Sequence, residues 1–105
     1  MIQPNLPALS MQERKRLKGL GHHLKPVVMI GGQGLTEGVI AELNRALTDH
    51  ELVKLRVAVG DREERAELAT QCCALSGAQW VAQTGRMLLL YRRHPEGKAP
   101  HSWAQ

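Results

Sequence analysis

The chain has 105 residues, is 43% hydrophobic and 3% aromatic with no phenylalanine, and carries a formal net charge of +4. That length suits one domain, which buries roughly 60–70% of its unfolded surface on folding, and the composition leaves its core to aliphatic side chains. No run of about 18 apolar residues is present to span a bilayer and no signal-peptide core is visible, so the expectation is a cytoplasmic protein that meets no membrane.

The charge is unevenly spread. Residues 1–25 hold five cations (Arg14, Lys15, Arg16, Lys18, Lys25) against Glu13 alone. From Gly85 onward Arg86, Arg92, Arg93 and Lys98 face only Glu96, whereas residues 26–84 carry eight carboxylates and five cations. Cations collected at both ends of a sequence make one patch if the fold joins those ends.

Residues 1–9 include two prolines and little periodicity, and are expected to form a flexible lead-in. Ser10-Met-Gln-Glu13 has capping-box spacing and should open a first helix. Leu17, Leu20 and Leu24 make its apolar stripe, while Arg14, Lys18 and His22 share another face with Lys15 beside them. Gly19 and Gly21 each cost about 1 kcal/mol relative to Ala inside a helix, so it should end near them. Pro26 pushes Lys25 into extended backbone, and the apolar run Val27–Ile30 reads as a short buried strand.

Gly31-Gly32-Gln33-Gly34 then gives a loop with three residues free to take positive φ. Thr36 is an N-cap candidate for a second helix to about Asp49, with Val39, Ile40, Leu43 and Leu47 apolar. Strand, glycine loop and helix start present backbone amides and a positive dipole end to an anion. Gly-x-x-Gly alone is a weak signal, because most such loops are tight turns. Neither a Walker Gly-Lys-Ser/Thr nor the spacing Gly-x-Gly-x-x-Gly accompanies it.

The second strand is expected over Leu52–Val59. Val53, Leu55, Val57 and Val59 form one apolar face, with Leu52, Lys54, Arg56 and Ala58 on a mixed one. Asp61 and Glu64 form a second capping box, and the third helix should bury Leu68, Ala69, Cys72 and Leu75 before Gly77 ends it. Strand three is expected at Gln79–Gln83, a turn at Thr84-Gly85-Arg86, and strand four at Met87–Arg92. The apolar run Met87–Leu90 of that last strand points to burial on both faces or a central place in the sheet. Residues 94–105, with Pro95, Gly97 and Pro100, read as a tail of low order.

The order α-β-α-β-α-β-β predicts a two-layer α/β domain with a four-stranded mixed sheet. Right-handed crossovers put the second and third helices on one face. The other face carries Lys54 and Arg56, partly open or partly covered by the first helix. Cys72 and Cys73 are adjacent and lack metal-ligand spacing, so they read as small core residues. Trp80 is expected in the core, and Tyr91 packed with a polar tip. His22 reads as a helix-end group bonding a last-turn carbonyl. The five histidines show no ligand spacing, and no nucleophile–base pair or placed carboxylate pair is visible. No metal, no cofactor and no enzymatic activity are therefore expected.

Leu17-Lys-Gly-Leu20, His22, Leu24-Lys-Pro-Val-Val, Ile30-Gly-x-x-Gly-Leu-Thr-Glu-Gly-Val, Glu51-Leu-Val-Lys54 and the segment from Gly85-Arg86 to Leu90-Tyr-Arg92 together resemble the CRM domain (chloroplast RNA splicing and ribosome maturation), in its stand-alone bacterial YhbY type. The likeness covers about residues 10–93. It implies an RNA-binding α/β domain similar to the C-terminal domain of initiation factor three, associated in bacteria with precursors of the large ribosomal subunit. The loop resembles that of KH domains, which clamp RNA backbone. Many relatives place a Lys or another polar residue in the two loop positions; here they are Gly32 and Gln33, so the loop brings no cation of its own.

The resemblance makes Gly31, Gly32, Gln33 and Gly34 candidate RNA-backbone contacts, with Arg14, Lys15, Lys18, Lys25 and Arg86 supplying charge. The expected partner is ribosomal RNA of the large-subunit precursor, and the protein is expected to be monomeric. Two other readings are a protein-interaction module docking on a ribosomal protein or assembly GTPase, and a small DNA-binding protein of similar layout.

Overall fold

Local capping sets most of the element boundaries in the computed structural model, which describes residues 9–93. Ser10 Oγ accepts from the Glu13 amide at 3.0 Å and Glu13 Oε1 accepts from the Ser10 amide at 2.9 Å, which opens α1 (Met11–Gly21). β1 (Val28–Ile30) follows, and Thr36 Oγ1 then takes the Val39 amide at 3.2 Å to start α2 (Glu37–His50). Each such cap is worth roughly 0.5–2 kcal/mol. Glu51 links α2 to β2 (Leu52–Val57) with φ 61, a positive value rare outside glycine. Asp61 and Glu64 form the second capping box, both bonds 2.8 Å, at the head of α3 (Arg62–Ser76). Gly77 closes that helix at φ 76, and β3 (Gln79–Thr84) and β4 (Met87–Tyr91) follow.

The four strands form one sheet in the order β1-β2-β4-β3. β1 runs parallel to β2, with Val28 opposite Leu55, while β4 lies antiparallel to both β2 and β3. The apolar run of β4 thus fills a central strand, as expected. A bulge at Val81 shifts the β3–β4 register between Trp80 and Ala82, so Val81 and Ala82 both join the core facing α1.

Each sheet face has its own core. On one side α2 and α3 bury Leu43, Leu47, Ala69 and Cys72 against Ile30, Val53, Leu55, Val57, Leu88 and Leu90. On the other, α1 sets Leu17 and Leu20, and the segment after it Leu24, over Leu52, Val81, Ala82, Leu89 and Tyr91. The end of α1 comes very close: a Cβ on Gly21 would stand 2.4 Å from Leu89 Cδ2. α1 therefore covers part of the far face, one of the two arrangements the sequence leaves open.

Some expectations are corrected. β2 stops at Val57, and Val59, expected on its apolar face, is 37% exposed. Leu75 is 59% exposed and Ser76 is buried in its stead. The α3 stripe runs Ala69, Cys72, Ser76, because the Ser76 hydroxyl satisfies itself by donating to the Cys72 carbonyl at 2.6 Å and accepting from the Ala78 amide at 3.2 Å. Trp80 is not in the core but 44% exposed, since β3 is an edge strand with no helix beyond it. Tyr91 is buried as expected. Leu9 donates its amide to Gln79 Oε1 at 3.0 Å; the rest of the expected lead-in and the tail from 94 lie outside the described residues. Among these, no helix is long and apolar enough to cross a membrane.

Candidate functional site

Three connections meet where the parallel strands β1 and β2 end: the glycine loop, the β2–α3 turn and the β3–β4 turn. Hydrogen bonds join them. The Ala58 amide donates to the Ile30 carbonyl at 2.9 Å, and the Val57 amide to the Arg86 carbonyl at 2.8 Å. Arg86 Nη1 donates to the Ala58 carbonyl at 3.0 Å. Arg65 donates from Nε to the Gly85 carbonyl at 3.2 Å and from Nη1 to the Gly60 carbonyl. Arg86, some fifty residues from the loop in sequence, thus stands beside it in space because β2 lies between β1 and β4.

The loop itself is open. Gly32 and Gln33 are exposed, and a Cβ built on Gly31, Gly32 or Gly34 would meet no atom beyond its chain neighbours within 4 Å. The Gly34 amide donates to the Gly31 carbonyl at 3.0 Å, and the Thr36 amide to the Gly34 carbonyl at 3.1 Å. Only Gly34, at φ 74, uses the positive region, rather than three residues. The helix end behind it is partly compensated. Thr36 already takes one first-turn amide and Glu37 puts a carboxylate in that turn, so an anion gains less there than at an uncapped terminus.

The cations divide by location. Arg14, Lys15 and Lys18 lie along a groove between α1 and β3 that also takes in Met11, Trp80 and Gln83. The Arg14 guanidinium carbon sits 5.7 Å from the Trp80 ring centroid. A second groove shares Lys18 and Ala82 with the first and adds His22, Lys54, Thr84 and Met87. Beyond it, Met29, Arg56 and Met87 lie opposite one another across β1, β2 and β4, on the face that α1 leaves uncovered. Met29 is 60% exposed and directly precedes Ile30 and the loop. A continuous surface therefore runs from Trp80 and the α1 cations, past Lys54 and Arg56, to the glycines.

Sequence alone favours the first-helix cations; it is the sheet that adds Lys54 and Arg56 to the same face. The available signal was the alternation in β2, which sets both against Val53, Leu55 and Val57. Lys25 is exposed but precedes β1, at the opposite end of that strand from the loop. Arg92 is committed elsewhere: Nη1 bonds Asn44 Oδ1 and the Ser76 carbonyl, both at 2.7 Å, and Nη2 bonds the Asn44 carbonyl and Thr48 Oγ1. His22 caps α1 through its backbone amide, while its side chain borders the second groove. Burial pushes the Cys72 and Cys73 thiols up to about 11, so both stay protonated near neutral pH and serve as core atoms. Among the described residues no three His, Cys, Asp or Glu gather as a metal site.

Comparison with known proteins gives this arrangement a family. The model of the CRS1 / YhbY (CRM) domain matches residues 9–92. A Pseudomonas aeruginosa protein named "Probable RNA-binding protein" is 47% identical over 89 residues, 85% of this chain and 86% of that one. A Haemophilus influenzae protein named "RNA-binding protein" is 46% identical over 93 residues, 89% of this chain and 94% of its own. The solution structure of a hypothetical Staphylococcus aureus protein, described there as a candidate RNA-binding protein, superposes with TM-score 0.77 at 28% identity, covering 86% of this chain and 94% of that one. A family match that takes in nearly every described residue, with relatives almost half identical, means that this chain belongs to the CRS1 / YhbY (CRM) domain family.

Proposed function

We propose that this chain is an RNA-binding protein that grips the sugar-phosphate backbone along its half-uncovered sheet face and associates with precursors of the large ribosomal subunit to assist their assembly. The observation that carries the reading is the open loop, where no atom beyond the chain neighbours lies within 4 Å of the side-chain positions of Gly31, Gly32 and Gly34. It is joined to a surface bearing Lys18, Lys54, Arg56 and Arg86. Bare glycine amides let a phosphate approach the backbone, and neighbouring cations supply the charge that the loop lacks. Contact is thus electrostatic and shape-based, as is usual where backbone rather than base edges is held. Names of the relatives support the RNA partner; the resemblance to bacterial YhbY-type proteins supports the ribosomal one.

Gly32→Asp is the informative substitution. Gly32 does not hold a positive φ and has open space around it, so the fold tolerates the side chain, while a carboxylate takes the place of the phosphate. A drop in RNA affinity of tenfold or more (about 1.4 kcal/mol) is expected in an anisotropy titration, with an unchanged unfolding transition. Wild-type affinity in that variant would remove the loop from the interface. For the ribosomal partner, tagged protein in cell extracts should sediment with large-subunit precursors on a sucrose gradient; sedimentation away from all ribosomal particles would exclude it.

A further inference from the structure

Trp80 stands at the edge of the sheet, lining the groove between α1 and β3 and, on its other side, a groove with Ala66, Thr70 and Cys73 of α3. It is 44% exposed in a chain with two tryptophans, one tyrosine and no phenylalanine. The fold nevertheless holds it in place. The Val81 bulge fixes the strand around it, and the Arg14 guanidinium lies over the ring at 5.7 Å. Arg14 Nε is buried with no hydrogen-bond partner among the described residues. Arg14, Lys15 and Lys18 line the groove beside it, and no strand among the described residues pairs with the outer edge of β3.

A flat aromatic surface next to a row of cations suits one kind of ligand. Single-stranded nucleic acid needs charge to follow its backbone and a π-face to receive its bases, and Arg planes extend such stacks. Bases inside a duplex already have both faces occupied. We propose that Trp80, braced by Arg14, is a stacking platform for one unpaired nucleobase of the bound strand. This extends the RNA-binding reading and rests on it. It also revises the purely electrostatic mechanism: the backbone grip is joined by one base contact that selects unpaired over paired RNA.

The test uses the full chain with Trp103→Phe, which leaves Trp80 as the sole tryptophan. It is titrated with a labelled single-stranded oligouridylate and with an abasic ribose-phosphate oligomer of the same length. Anisotropy reports binding and tryptophan emission reports stacking. The oligouridylate should quench Trp80 emission in step with binding, and the abasic oligomer should bind without quenching. Trp80→Leu should weaken oligouridylate binding about tenfold, the scale of one absent base stack, and leave abasic affinity and salt slope unchanged; Trp80→Phe should keep most of the affinity. If the oligouridylate binds while emission stays unmoved, or Trp80→Leu binds it as tightly as before, the platform is wrong and the RNA reading survives. If neither oligomer shifts the anisotropy, the RNA reading fails and the platform falls with it. Quenching by polyglutamate but not by RNA would make the groove a protein-docking surface instead.

Discussion

Arg92 illustrates how one residue's surroundings decide its role. By sequence it is one more cation at the basic end of the chain. In the fold its guanidinium joins α2 to the end of α3 through Asn44, Thr48 and the Ser76 carbonyl, all neutral acceptors. Burial pulls its affinity for the proton below the usual arginine range, yet the group stays charged at any physiological pH. Arg92→Met should therefore destabilise the protein by about 2 kcal/mol in urea unfolding, because several acceptors lose their donor together. Arg92→Lys should recover little, since an ammonium cannot reproduce the planar fork. RNA affinity of the folded fraction should not change in either variant. Trp80 is the opposite case: a residue type that usually packs inside is left at an edge, with a cation against its ring.

At the level of elements, the caps were readable because they depend on side chains three residues apart. Ser10 with Glu13, Thr36 with the Val39 amide, and Asp61 with Glu64 all form as their spacing implies. What spacing does not encode is which turn of a helix meets a neighbour. Leu75 and Ser76 are both acceptable at the end of the α3 stripe, and the approach of the chain to Ala78 chose Ser76. Gly21 is similar: its cost inside a helix predicted where α1 ends, but its closeness to Leu89 is a tertiary fact. Gly21→Val should destabilise the protein by about 2 kcal/mol through overpacking. In a double-mutant cycle with Leu89→Ala, the two costs should add to less than their sum, and strict additivity would show that the contact does not matter.

Across the whole molecule, the balance of charge differs between the two faces. α1 and the uncovered part of the sheet carry Lys15, Lys18, Lys54 and Arg56, whereas α2 and α3 on the other side hold six carboxylates against three arginines. Such a division orients approach to a polyanion before any contact forms. Replacing Lys15 and Lys18 together with Gln should lower the slope of log affinity against log salt by about 0.7 for each phosphate left without its lysine. An unchanged slope over a salt series would take these lysines out of the interface.

Element order, helix caps, the glycine loop and the central place of β4 were all written into the sequence, because each depends on neighbours a few residues away or on the period of apolar side chains. Only the folded chain decided which distant residues share a surface. β4 inserted beside β2 brings Arg86 to the loop, α1 covers only part of one sheet face and so leaves Arg56 and Met29 bare, and the edge position of β3 leaves Trp80 half exposed. Those outcomes follow from strand order and register, which join residues tens of positions apart, and no local pattern carries that information.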